Sequence, residues 1–180
     1  MTPIKSSEHL KSYIKKQYGK GVDVIDETDT NPFFDYKVEG GIRDFTVELK
    51  TNNFTWCKWD AFGNHILIEM VQGIYYLKNN KNDEYSSRGL DTAMGWFYKI
   101  RCDRLIFMRY REGALKEILD IDFTRFFMWF VKKADNGFFK VVFSYTTTGT
   151  PNAVVDIVDI PKDLMVHLLL NDELGRLECV

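Results

Sequence analysis

DYKVEGGIRDFTVELKTNN, residues 35–53, sets two short apolar segments on either side of a glycine pair and places a carboxylate where each would be expected to bury a hydrophobe. In its second half Phe45, Val47 and Leu49 alternate with Thr46, Glu48 and Lys50, the period of a strand with one apolar and one polar face. Glu48 and Lys50 therefore point the same way. The first half belongs to PFFDYKV, whose aromatic and β-branched content suits a strand, and EGGIRD between them holds Gly40 and Gly41, which accept the positive φ of a tight turn. Such a hairpin sets Asp35 beside Glu48 and Lys50. Two carboxylates and an ammonium on adjacent strands make a hard-oxygen site for a divalent cation with a positive group next to it, suited to a phosphate substrate.

Downstream, TNNFTWCKWDAFGN is a polar connection carrying Trp56, Trp59 and Asp60. HILIEM then reads as a third strand that bears Glu69, apolar on both sides like a central strand covered by helices, with IYYLK continuing it or pairing back. Upstream, residues 6–18 read as an amphipathic helix. Ser6 is its expected cap, Leu10, Tyr13, Ile14 and Gln17 share a face, and Gly19 and Gly21 end it. Val22–Ile25 is a short strand candidate. Beyond the polar run 79–90 come the helix TAMGWFYKIR, capped by Asp91 or Thr92, the strands RLIFMRY and LKEILDI, and a second helix, FTRFFMWFVKK, capped by Asp122. Two more strands, NGFFKVVFSY and NAVVDIVDI, precede PKDLMVHLLLND, which Pro161 opens as a closing helix.

Aromatics at 15% leave little room for disorder, and 180 residues suffice for one domain with a real core. A net charge of -2 announces no global basic field, which weakens a nucleic-acid partner without excluding one whose phosphates meet a local metal. Three scattered cysteines give neither a disulfide framework nor a zinc motif. With no signal-like segment and no run of about 18 apolar residues, the expectation is a cytoplasmic protein with no membrane partner. His9, His65 and His167 match no ligand or triad spacing and read as surface or helix-end residues.

Asp35, then Glu48-Leu49-Lys50, after one helix and before another, resembles the PD-(D/E)XK nuclease superfamily. VELKTNN followed by FGNHILIEM and SSRGLDTAMGWFYK is similar to its phage and bacterial branch, in which a GN-hydrophobic-E strand and a Ser-Gly element lead into a tryptophan-bearing helix. The resemblance implies an α/β (α+β), restriction-endonuclease-like fold: a mixed central sheet flanked by helices, with an α-β-β-β-α-β core over about residues 6–110 and a C-terminal extension over 111–180, within a single domain. It implies a metal-dependent endo- or exodeoxyribonuclease of a bacterial or phage-infected cell, acting on DNA rather than RNA. Asp35 and Glu48 then stand as ligands of Mg2+ or Mn2+, the Leu49 carbonyl as a third, and Lys50 as the catalytic lysine. The proline of the family's name is absent here, Phe34 preceding Asp35. Glu69 and Glu8 are expected at the site's margin, and Thr51, Asn52, Trp56, Lys58, Ser87 and Arg88 against the substrate. The aromatic helix offers a face for a homodimer. Three alternatives stand beside this reading: a register shifted to Asp23, Asp35 and Lys37; ordinary cross-strand salt bridging on an exposed sheet face, which would account for Glu48 and Lys50 without catalysis; and an inactive module of the same fold that binds nucleic acid or serves as an assembly subunit.

Overall fold

The computed structural model describes residues 3–53, 65–69, 95–111, 113–143, 151–171 and 176–179. The chain divides into two compact units of interleaved segments. Met1–Trp56, Arg101–Met128 and Pro161–Val180 form the first, and Cys57–Ile100 with Trp129–Ile160 the second.

The first unit begins with helix α1 (Pro3–Tyr18), followed by strands β1 (Asp23–Asp26), β2 (Tyr36–Glu39) and β3 (Phe45–Asn53). These three strands form an antiparallel meander, and β3 then pairs in parallel with β5 (Arg104–Arg111). β6 (Ala114–Asp122), β9 (Met165–Asn171) and β10 (Arg176–Cys179) complete a mixed sheet of order β1-β2-β3-β5-β6-β9-β10. The general class expected from the sequence, α/β with a large mixed sheet and helices flanking it, is what the chain adopts. α1 covers one face of that sheet: Leu10, Tyr13 and Ile14 pack into a core with Val38, Phe45, Val47, Ile106, Met108 and Ile118. The helix starts at Pro3, so Ser6 lies inside it, and Gln17 is exposed while Tyr18 packs against this core.

The hairpin between β2 and β3 turns through Gly40 at φ 81, where a Cβ would stand 3.2 Å from the Gly21 carbonyl oxygen. Only a glycine takes that conformation without strain. Strand β2 starts at Tyr36 rather than Pro32, so Asp35 precedes it, and β3 runs three residues beyond Lys50.

Beside Ser6 as the cap of α1, and the helix TAMGWFYKIR, whose described residues are helical only over Trp96–Lys99 with Gly95 as the cap, three expectations fail here. PKDLMVHLLLND is not a helix: Lys162–Leu164 makes one 3-10 turn, and Met165–Asn171 is β9, paired on both sides by β6 and β10. The unbroken apolar run MVHLLL suits a strand with two neighbours as well as a helix, and periodicity alone does not separate them. HILIEM, expected as a central strand, is β4 (His65–Glu69) at the edge of a second sheet, because the apolar run of β5 takes the place beside β3. His167, expected at the surface or a helix end, is buried on β9.

In the second unit β4 pairs with β8 (Pro151–Asp156), and β8 with β7 (Lys140–Phe143), all antiparallel. The short helix α2 (Trp96–Lys99) supplies the buried Phe97, which packs edge-on to Phe130, itself stacked on Phe139. Helix α3 (Phe123–Asp135) contributes Phe123–Met128 to the first unit and its remainder to the second. Its start is capped as expected, the Asp122 carboxylate accepting the Arg125 N–H at 3.2 Å, and Lys132 and Lys133 stand in its last turn, where the helix dipole favours cations. Among the described residues no helix is long and apolar enough to cross a membrane.

Candidate functional site

β3 is held from both sides before any functional group is considered. On one edge Thr46 donates its N–H and hydroxyl to Asp103 at 2.8 and 2.9 Å, which locks the register of β3 against β5. On the other, Tyr36 lies opposite Val47, and the Asp35 N–H donates to the Val47 carbonyl at 2.9 Å. The Asp35 carbonyl accepts the Glu27 N–H at 2.8 Å. Asp35 is thus clamped between the end of β1 and the middle of β3 although it belongs to no strand.

Its side chain reaches back to β3, where Asp35 Oδ2 accepts the Leu49 N–H at 2.8 Å. One residue's N–H and C=O leave an extended strand on the same edge, so the Leu49 carbonyl also faces the side where Asp35 sits. Val47 and Leu49 pack with the α1 core, which leaves Glu48 and Lys50 on the other face of the sheet. There Lys50 Nζ forms an ion pair with Glu48 Oε1. The Glu48 side chain is 7% exposed against 29% for Lys50, so the acid is the more shielded of the two.

Burial pushes both acids above their ordinary range. For Glu48 the Lys50 charge and hydrogen bond pull back and the Asp35 charge pushes up again. For Asp35 the Leu49 N–H and the Lys50 charge oppose burial, while Asp26 adds to it. The Asp35 charge acts on Glu48, and among the described residues the Lys50 ammonium acts on both. Among the described residues no other hydrogen bond reaches either carboxylate.

The chemistry of these donors fits a hard divalent cation. Magnesium takes one or two protein carboxylates and keeps several waters, so Asp35, Glu48 and the Leu49 carbonyl are the groups that could hold it. Among the described residues no set of three or more His, Cys, Asp or Glu side chains is grouped as for a metal ion.

The other expected residues divide sharply. Glu8 is exposed on α1, which covers the face opposite Glu48. Glu69, in the second unit, is engaged at the start of α2, where its Oε1 accepts the Trp96 N–H at 3.3 Å. Thr51 is exposed on β3, in the alternation that puts Val47 and Leu49 toward α1, so it leaves the sheet on the face opposite Lys50. Asn52 continues β3 opposite Arg109. Trp56, Lys58, Trp59, Asp60, Ser87 and Arg88 lie outside the described residues. The shifted register is not assembled: Asp23 pairs with Glu39, at the far end of β1 from Asp26 and Tyr36, and Lys37 is ion-paired to Glu39.

Sequence reasoning missed two neighbours. Asp26, opposite Tyr36, adds negative potential at Asp35 and sits in the acidic run before it, a weak signal without the strand register. Cys102 is buried beside Glu48, and burial followed by that charge holds its thiol far above the thiol range. Nothing local in the sequence links residues 48 and 102.

No family model, curated protein or solved structure matches this chain.

Proposed function

We propose that this protein is a metal-dependent nuclease that hydrolyses phosphodiester bonds of DNA, on a restriction-endonuclease-like core. One observation carries the reading: Asp35 is fastened to the Leu49 N–H within the segment Glu48-Leu49-Lys50, on a strand that closes an antiparallel meander after a helix and runs parallel to the next strand of its sheet. That order supports the α-β-β-β-α-β comparison better than a salt bridge alone does. A plain cross-strand pair has no need of a second, half-buried acid held by three backbone hydrogen bonds.

Asp35, Glu48 and the Leu49 carbonyl are the groups that would hold magnesium or manganese. The ion supplies, when bound, acidity to an attacking water and charge for the scissile phosphate. The chain's own work is positioning. The backbone bonds of Asp35 keep its carboxylate at one place on the strand edge, and the Leu49 N–H holds that carboxylate in one orientation. Lys50, on the same face of the strand as Glu48, would donate to a phosphate oxygen as negative charge builds there. It does so as a cation and need not lose its proton.

A net charge of -2 favours a second reading, a module of the same fold that binds nucleic acid or a partner protein without turnover. Incubation with plasmid, single-stranded and branched DNA, with magnesium or manganese and then with chelator, separates the two. Metal-dependent cleavage that Glu48→Ala and Lys50→Ala abolish and Lys37→Ala leaves intact supports the nuclease. Absence of cleavage on all three substrates, with a gel shift that survives Glu48→Ala, supports the binding module.

A further inference from the structure

We propose that Lys50 is the resting counter-ion of the Asp35–Glu48 pair, and that a divalent cation must displace it from Glu48, which frees Lys50 for the substrate only once metal is in place. This rests on the metal reading above and adds an order of events to it. Two adjacent carboxylates taken largely out of water need a positive partner or a proton. Among the described residues the one cation paired to Glu48 is Lys50, two residues along the same strand face, and its charge also acts on Asp35. A metal held by Glu48 and an ammonium held by the same carboxylate repel each other at contact range, so the two compete for one place. Lys50 is the partner able to leave. Its side chain is the more exposed of the two and ends in an ammonium on a flexible four-carbon stem, whereas Glu48 is buried on a strand paired on both edges. Metal binding and the arming of Lys50 would then be one exchange, which keeps the lysine off the phosphate in the metal-free protein.

The exchange makes a prediction that runs against the usual effect of deleting a site residue. Lys50→Gln removes both a competitor for Glu48 and a like charge near the metal, so this variant binds Mn2+ about tenfold more tightly than the wild type by titration calorimetry. It also gains more melting temperature from added Mn2+, while Lys50→Arg, which keeps the charge, stays near wild type. A second measurement needs no variant: acylation of Lys50, followed by mass spectrometry of the peptide, accelerates when Mg2+ is added to the wild-type chain. Equal or weaker Mn2+ binding by Lys50→Gln, or Lys50 acylation indifferent to Mg2+ in a chain that binds it, overturns the exchange and leaves the metal site standing. Failure of the wild-type chain to bind either ion overturns both.

Discussion

The carboxylate of Asp35 accepts the backbone N–H of Leu49 at 2.8 Å, so an acid outside any strand is tied to the residue between the other acid and the lysine. The bond sets both the stability and the geometry of the site, and the two separate by mutation. Asp35→Ala loses a charge-assisted hydrogen bond and is expected to cost about 1–2 kcal/mol in urea denaturation. Asp35→Asn keeps an acceptor for Leu49 and costs less than half of that. If the nuclease reading holds, both lose cleavage alike, because the amide is a poor ligand for magnesium. Equal stability losses for the two variants would show that the hydrogen bond contributes nothing.

Glu48 gives the site a pH signature. Its folded-state pKa lies above the ordinary value of 4.5, with burial as the largest cause. The native state therefore holds its proton to higher pH than the unfolded chain, and this group's contribution to stability falls as pH rises through the window between the two values. Glu48→Gln has no such group. Its stability relative to wild type should rise with pH across the window just above 4.5 and level off beyond it. Urea midpoints of both chains in metal-free buffer, taken every half pH unit, test this; a difference that falls with pH would mean that the Lys50 pair outweighs burial.

Farther along the sheet, Arg109 and Glu117 are both fully buried and bonded at 2.9 Å, and His167 Nε2 lies 2.6 Å from the other Glu117 oxygen. Glu117→Ala takes the carboxylate from a buried guanidinium and should cost about 3–5 kcal/mol. Replacing the pair together, Arg109→Met with Glu117→Leu, should cost far less than the two single changes summed. Additive losses in equilibrium unfolding would argue that the residues act independently.

α1 is fastened to the sheet by polar bonds as well as by its apolar face. Tyr13 and Tyr18 both donate their hydroxyls to Asp120 Oδ2 at 2.8 Å, and Arg104 Nε meets Oδ1 at 2.7 Å. Burial, followed by the Asp120 charge, drives both phenols far above the tyrosine range, so neither should titrate below the point of unfolding. Each Tyr→Phe change removes one donor from a buried carboxylate and should lower stability by about 1–2 kcal/mol. The double change should exceed the sum, since Asp120 would then keep only Arg104. A double-mutant cycle that closes to zero would contradict the shared network.

Much of this was legible along the chain. The alternation in FTVELK put Glu48 and Lys50 on one face, Gly40 marked the turn that sets Asp35 beside them, and Asp122 marked the start of α3. Those signals are local, written within one turn or one strand, where period and capping chemistry act directly. What failed was non-local. MVHLLL pairs between β6 and β10 because those strands leave a slot for it, and HILIE joins β8 because β5 has taken the place beside β3. Likewise His167 gave no sign in sequence that Glu117, 50 residues away, would draw it into the core.

The sequence alone therefore determined the hairpin, the shared face of Glu48 and Lys50, and the amphipathic pattern of the helix before them, because each is set by neighbours close along the chain. Tertiary structure alone decided which strands became partners, and so moved Glu69 into a second unit, set Asp26 and Cys102 beside the acids, and gave Asp35 its bond to Leu49. The reason is physical. A strand's face is encoded by its own alternation, but its two edges are chosen by competition among all the apolar runs in the chain.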